Sequence, residues 1–125
     1  MSDKRPVNLD IATIRLPLPA YVSILHRVSG VFLIAGFAVF LYLLDLSLSS
    51  PEGFDEALAC MDSMLVRFVL WVVVSAFLYH LFAGIKHLVM DAGIGETLEG
   101  GQLGAKLTLA ASALSILAAG VWILW

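Results

Sequence analysis

Residues 28–44 read VSGVFLIAGFAVFLYLL and contain no charged side chain. The apolar run continues past Asp45 to Leu48, which brings it close to the roughly 20 residues that a helix needs to cross a bilayer core. Two further runs of this kind extend from Phe68 to Ile85 and from Leu107 to Trp125. The pattern predicts an all-α integral membrane protein with three transmembrane helices, at about 21–48, 65–90 and 104–125.

The composition of the chain excludes the soluble globular class. Of its 125 residues, 61% are hydrophobic and only 14% are charged, which is far from the balance of a soluble domain. We therefore expect any soluble catalytic domain to be another chain. The single cysteine, Cys60, excludes a disulfide and a cysteine-based zinc or iron–sulfur site within this sequence. The glycine-rich residues 91–101 lack a nucleotide-binding fingerprint, because Leu98 stands where the third glycine should be, and they predict a flexible loop.

The charged residues predict the orientation of the helices. Four of the seven Lys and Arg residues lie at or before Arg27, and most of these belong to an arm at 1–20 whose prolines favour an extended chain. The connection at 47–64 has four acidic residues and no basic one. Because Lys and Arg favour the cytoplasmic side, we expect a cytoplasmic N-terminus and an outer acidic connection. The tryptophans then lie toward the outer boundary as interfacial anchors, at Trp71, Trp122 and Trp125.

A histidine inside the second apolar run is the first candidate for chemistry. His80 lies about five residues from Ile85, or roughly 8 Å from the boundary at helical rise. Ionisable residues at this depth are usually functional, although a neutral histidine bonded to a neighbouring helix is the alternative. A neutral imidazole in apolar protein suits axial ligation of haem iron.

The spacing around His80 is compatible with a large flat ligand. His80, Gly84 and His87 share one helix face at i, i+4 and i+7. Gly84 leaves room either for a porphyrin or for close helix packing, and His87 could meet a propionate together with Lys86. A second axial ligand is expected from another chain, because His87 is on the same helix and we estimate that His26 lies several ångströms from the depth of His80.

A polar cluster lies at the cytoplasmic start of the first helix. Ser23, His26, Arg27 and Gly30 follow i, i+3, i+4 and i+7 spacing and share one helix face. A hydroxyl and a guanidinium together could hold a quinone carbonyl oxygen and stabilise the charge that develops on it. A plain membrane-boundary anchor with a capping serine fits the same residues, and composition does not decide between the two.

Two motifs together carry a family resemblance. The first helix reads Ser23-Ile-Leu-His-Arg-Val-Ser-Gly30 and the second contains His80, Gly84 and His87 in the pattern His-x-x-x-Gly-x-x-His. This resembles the cytochrome b subunit of bacterial succinate dehydrogenase, the larger of its two membrane anchors, over nearly the whole chain. The resemblance implies that His80 is the metal-binding axial ligand of one haem b and that Ser23 and Arg27 bind quinone. It also implies that the cofactor is contacted by His26, Arg27 and His87.

The same resemblance implies a function and a set of partners. The chain would be a non-catalytic anchor of succinate:quinone oxidoreductase, respiratory complex II, passing electrons from succinate to ubiquinone in the bacterial inner membrane. Its expected partners are a flavoprotein subunit, an iron–sulfur subunit, membrane lipid and a smaller anchor that supplies the second haem histidine and completes the bundle. No nucleic-acid partner is expected. A fumarate reductase anchor using menaquinol and a non-redox membrane scaffold are the alternatives.

The predicted orientation can be tested with reporter fusions. A reporter fused after Trp125 and one placed within 47–64 should both be on the outer side, because the basic arm keeps the N-terminus inside. A fusion after Gly95, in the second connection, should report the cytoplasm. A cytoplasmic signal from either of the first two fusions would contradict the three-helix topology.

Overall fold

The computed structural model describes residues 5–125, and its regular structure is entirely helical over that range. The helices are α1 (Leu18–Ser49), α2 (Pro51–Met61), α3 (Met64–Asp91) and α4 (Leu98–Leu124). Three of them, α1, α3 and α4, are long and apolar enough to cross a membrane. The prediction of an all-α protein with three spans is confirmed, and the chain is a multi-pass membrane protein. Lys4, part of the basic arm, lies outside the described residues.

Two prolines mark the start of the first helix. Residues 5–17 are mostly exposed and form no helix, apart from a turn at 11–13. Pro17 is extended, with ψ 157°, and Pro19 lies in the first turn of α1, where its missing N–H costs no helical hydrogen bond. As a result α1 begins at Leu18, slightly before the predicted boundary at residue 21.

The acidic connection after α1 contains a helix of its own. Ser50 caps α2, since its Oγ accepts a hydrogen bond of 2.9 Å from the Gly53 amide. α2 contacts both α1 and α3. The turn into α3 is closed by Arg67, whose Nε donates to the Met61 carbonyl at 2.8 Å and whose guanidinium pairs with Asp62 at 3.5 Å. Hydrogen bonds of Ser50 and Arg67 therefore fix the two ends of α2.

The glycine-rich connection is shorter than the loop predicted at 91–101, because α3 extends to Asp91 and α4 begins at Leu98. At the end of α3, Gly93 N donates to Met90 O at 2.9 Å and Ile94 N donates to Val89 O at 3.2 Å, the pattern of a Schellman motif. Gly93 has a φ of 85°, a left-handed conformation that glycine adopts without steric cost. Thr97 then caps the next helix. α4 consequently begins at Leu98 and not at the predicted residue 104.

Small residues set the distances between the spans. A Cβ added at Gly36 on α1 would lie 2.7 Å from Val73 Cγ1 on α3. A Cβ added at Gly120 on α4 would lie 3.0 Å from Nε1 of Trp71 on α3. Because lipid tails are as apolar as the side chains, such close contacts supply much of the attraction between membrane helices.

The three tryptophans do not share one role. Trp71 is half-buried, and its Nε1 donates to the Ile116 carbonyl at 2.9 Å. It therefore joins α3 to α4 instead of acting only as the predicted interfacial anchor. Trp122 and Trp125 are 85% and 95% exposed near the end of α4, as interfacial anchors would be.

Close packing at Gly36 makes a testable contribution to stability. Gly36→Leu should destabilise the chain by about 1–3 kcal/mol, because the added side chain must displace Val73 or push α1 from α3. The measurement is thermal unfolding of the purified protein in mild detergent. Ala35→Leu is the matched control, because Ala35 is exposed on the neighbouring position of α1. Equal melting temperatures for the two variants would contradict this account of the α1–α3 contact.

Candidate functional site

His80 lies on α3 and is fixed by two groups of α1. Its Nδ1 is 3.0 Å from the His26 carbonyl oxygen and 2.9 Å from Ser29 Oγ. The Ser29 hydroxyl donates its own proton to the His26 carbonyl at 2.7 Å. Both neighbours of Nδ1 are then acceptors, so Nδ1 carries a ring proton. When the ring is neutral, Nε2 therefore holds the lone pair that can bind a metal.

Two further contacts hold this region of α1 against α3. A Cβ added at Gly30 would lie 3.1 Å from His80 Cε1, so a larger residue would press on the imidazole. The adjacent Tyr79 donates its hydroxyl proton to the Val22 carbonyl at 2.6 Å. Hydrogen bonds from successive residues of α3 to α1 fix the register of the two helices.

The rings of three histidines meet in what we call the histidine cluster, formed by His26, His80 and His87. His26 stacks on His80 with ring centroids 4.1 Å apart and planes at 16°, and His87 lies 5.1 Å from His26 at 47°. The expected difference in depth between His26 and His80 is therefore no more than the 4.1 Å that separates their ring centroids. The space beside Gly84 is filled by His26, whose Nε2 would lie 3.5 Å from an added Cβ.

The histidine cluster is not built as a site for a free metal ion. Within residues 5–125, no group of three or more His, Cys, Asp or Glu side chains is arranged to hold one. Histidine coordinates a metal through a ring nitrogen, whereas His26 and His80 turn their ring faces to each other. The arrangement instead suits a single coordinate bond from His80 Nε2, since Nδ1 is already engaged.

The residues of the predicted quinone face at the start of α1 lie in two different environments. His26 and Gly30 pack against α3, as described above, whereas Arg27 is exposed and Ser23 is half-buried. Residues 5–125 provide no ion pair to Arg27, because the one pair found there is between Arg67 and Asp62. The Arg27 guanidinium is thus exposed, without an ion pair among the described residues, and lies one helical turn from Ser23.

Lys86 does not join the histidine cluster. It is buried against α4, where a Cβ added at Gly104 would lie 3.4 Å from Lys86 Cε. Its Nζ donates to Met90 Sδ at 3.3 Å. Lys86 therefore faces α4 while His87 faces the histidine cluster, because consecutive helical residues point about 100° apart.

Sequence reasoning missed two residues of the site, Ser29 and Tyr79. A signal for Ser29 was present, because a serine three residues after His26 in an uncharged span must satisfy its hydroxyl within the protein. Tyr79 carried the same signal, since a phenol inside a span needs an acceptor. The contact of Ser29 with His80 and the acceptor of Tyr79, the Val22 carbonyl, are identified only by the packing of α1 on α3.

Comparison with known proteins agrees with the motifs. Residues 1–119 match the family described as succinate dehydrogenase/fumarate reductase transmembrane subunit. This chain belongs to that family. The match confirms the resemblance carried by the motifs of α1 and α3.

Several relatives of this transmembrane subunit are similar over most of their length. The chain is 39% identical to the succinate dehydrogenase cytochrome b556 subunit of Coxiella burnetii, over 98% of this chain and 99% of the relative. It is 32% identical to the cytochrome b556 subunit of Paracoccus denitrificans, over 86% and 83% of the two chains. It is also 32% identical to the cytochrome b560 subunit of Reclinomonas americana, over 100% and 89%.

Proposed function

We propose that this transmembrane subunit is the non-catalytic anchor of a succinate:quinone oxidoreductase, respiratory complex II. In this proposal it binds one b-type haem through His80 and forms part of the ubiquinone-reduction site. The observation that carries the proposal is the hydrogen bonding of His80 Nδ1, which leaves Nε2 free as a ligand. The cytochrome b names of the relatives support a b-type haem.

The surroundings of His80 fit an axial ligand. Metal-binding histidines usually donate their other ring N–H to a carbonyl or carboxylate, which fixes the tautomer and makes the ligand more basic. The His26 carbonyl and Ser29 hydroxyl are placed to do this for His80. A bound haem would supply one-electron transfer within the membrane.

The remaining polar groups near His80 fit the rim of the same cofactor. His87 lies two helical turns beyond His80, toward the end of α3, where its ring nitrogens could donate to a propionate. His26 and Arg27 could do so from the start of α1. A guanidinium is suited to this role, because it forms paired, charge-assisted hydrogen bonds with a carboxylate.

The second axial ligand belongs, in this proposal, to a smaller anchor subunit. The two axial ligands of a haem approach from opposite faces of the porphyrin. His26 and His80 stack at 4.1 Å and leave no room for a macrocycle between them. His87 is on the same helix as His80. A histidine from a partner helix is consistent with the many apolar side chains that α1, α3 and α4 leave exposed.

The proposed electron path begins outside this chain. Succinate is oxidised on a flavoprotein subunit, and the electrons pass through an iron–sulfur subunit to ubiquinone at the membrane boundary. The basic arm and Arg27 would face these subunits with the N-terminus in the cytoplasm of the bacterial inner membrane. The start of α1, the end of α3 and the start of α4 would then share the cytoplasmic boundary.

Ser23 and Arg27 are proposed to bind the quinone head group. Reduction adds two electrons and two protons to the quinone, and negative charge develops on its carbonyl oxygen. The Ser23 hydroxyl and the Arg27 guanidinium can both donate hydrogen bonds to that oxygen. The bond from the guanidinium is charge-assisted, so it strengthens as the charge develops.

The haem proposal predicts different results for two substitutions. His80→Ala should lower haem content, because the ligand is lost. Ser29→Ala should keep the ligand but remove the hydrogen bond between Ser29 and His80 Nδ1. The haem midpoint potential should therefore shift, and the haem affinity should fall about ten- to a hundredfold. The measurements are haem per flavin and a redox titration of the purified complex.

Ser47→Ala is the matched control for Ser29→Ala. Ser47 is on the same helix and its hydroxyl also donates to a backbone carbonyl, that of Leu44 at 2.8 Å, but it lies far from His80. The haem potential of this variant should equal that of the wild type. An unchanged haem spectrum and potential in the His80 variant would refute the ligand assignment.

The quinone proposal predicts a selective loss of one activity. Ser23→Ala and Arg27→Leu should slow ubiquinone reduction about ten- to a hundredfold, as expected for losing a hydrogen bond worth about 1.5–3 kcal/mol. Succinate oxidation by a dye that accepts electrons upstream should be little changed. Arg15→Leu, which removes an exposed positive charge from the arm, is the control for Arg27→Leu.

A haem spectrum of the Arg27 variant separates its two proposed roles. Loss of quinone reduction with an unchanged haem spectrum would assign Arg27 to the quinone. If both variants assemble and reduce ubiquinone at the wild-type rate and apparent affinity, the start of α1 is a membrane anchor and not a quinone site.

A further inference from the structure

A groove runs between α3 and α4 at the end of the bundle where the two helices are joined. Its volume is about 390 Å³. Apolar side chains of both helices form most of its walls, namely Phe82, Ile85, Val89, Leu103, Leu107 and Ala111. The groove is separate from the contact of His80 with His26, which lies between α3 and α1.

Among residues 5–125, Lys86 is the one charged side chain that lines the groove. Lys86 is 8% exposed, although it carries an ammonium group. The hydrogen bond that this group makes to the described residues goes to Met90 Sδ at 3.3 Å, and a thioether is a weak acceptor. A buried ammonium is unfavourable unless an anion or a strong acceptor compensates it.

No carboxylate of residues 5–125 supplies that compensation. The ion pair found in this part of the chain joins Arg67 to Asp62, at the other end of α3. The acidic residues nearest in sequence to the groove are Asp91, Glu96 and Glu99, which are exposed and do not line it. The charge of Lys86 is therefore left without a compensating carboxylate among the described residues, and an anionic oxygen from another molecule would supply that compensation.

We propose that this groove binds one anionic phospholipid, with its phosphate on Lys86 and an acyl chain along the apolar walls. Lys86 lies about five residues before the end of α3, roughly 8 Å along the helix axis, where phosphates give way to acyl chains. A soluble anion would have to enter an apolar groove alone. A phospholipid supplies both the charge that Lys86 needs and the apolar surface that the groove matches.

Lipid binding to the purified complex, measured by native mass spectrometry, tests the proposal without depending on haem or quinone. The wild type should bind one phosphatidylglycerol more tightly than phosphatidylcholine. Lys86→Met should weaken phosphatidylglycerol binding about tenfold or more, as expected for a lost charge-assisted bond. Lys86→Arg should retain the binding. Lys106→Met is the matched control and should change nothing, because Lys106 is exposed on α4 and does not line the groove.

A second variant keeps the test decisive if Lys86→Met does not assemble. Ala111→Phe leaves the charge intact and fills the apolar end of the groove, so it should lower the affinity for phosphatidylglycerol. Equal affinity in the wild type and in the Lys86→Met or Ala111→Phe variant would overturn the proposal. So would an equally large loss in Lys106→Met. Displacement of phosphatidylglycerol by millimolar inorganic phosphate would overturn the assignment to lipid, because a free anion would then suffice.

Discussion

The hydrogen bonding of His80 Nδ1 to α1 constrains both the packing of this subunit and its chemistry. Two membrane helices have no hydrophobic driving force to hold them together, so polar contacts at a fixed depth are what set their register. His80 and Tyr79 provide two such contacts, to the carbonyls of His26 and Val22. His80 uses one ring nitrogen for this purpose and keeps the other free. The residue that positions the helices is thus also the one that the proposed function requires.

Two glycines and two histidines form a reciprocal contact between α1 and α3. Gly30 of α1 makes room for the ring of His80, whereas a Cβ at Gly84 of α3 would lie in ordinary van der Waals contact with the ring of His26. Gly30 therefore allows close approach to an aromatic ring, rather than to a bare helix backbone as in simple small-residue packing. In the proposed function His26 is not the second haem ligand, because it stacks on His80 and leaves no room for a macrocycle between the two rings. That proposal therefore assigns the second histidine to another chain.

The three spans could be predicted from sequence because the length and hydropathy of a segment are local properties. The periodicity of a helix was enough to place His80, Gly84 and His87 on one face. The depth of His26 could not be predicted, since it depends on how far each helix extends beyond the apolar run. α1 begins at Leu18 and α3 continues to Asp91, so each helix extends beyond its apolar run. The helix in the acidic connection was missed although Ser50 and Pro51 are start signals. The start of α4 was also missed, because the glycines that follow Thr97 are unfavourable in a helix.

The hydrogen bonds and ion pairs of the polar groups show which surfaces of the chain have polar groups without a partner among the described residues. In lipid, a polar group that is not satisfied within its own chain must be satisfied by another molecule. His26, His80, Arg67 and Asp62 all have partners within residues 5–125. Arg27 has no ion pair there, and Lys86 has only a thioether. Because Arg27 is on α1 and Lys86 faces α4, these two cations lie on two different surfaces. The proposals above assign the first surface to a redox partner and its quinone, and the second to a lipid of the bilayer.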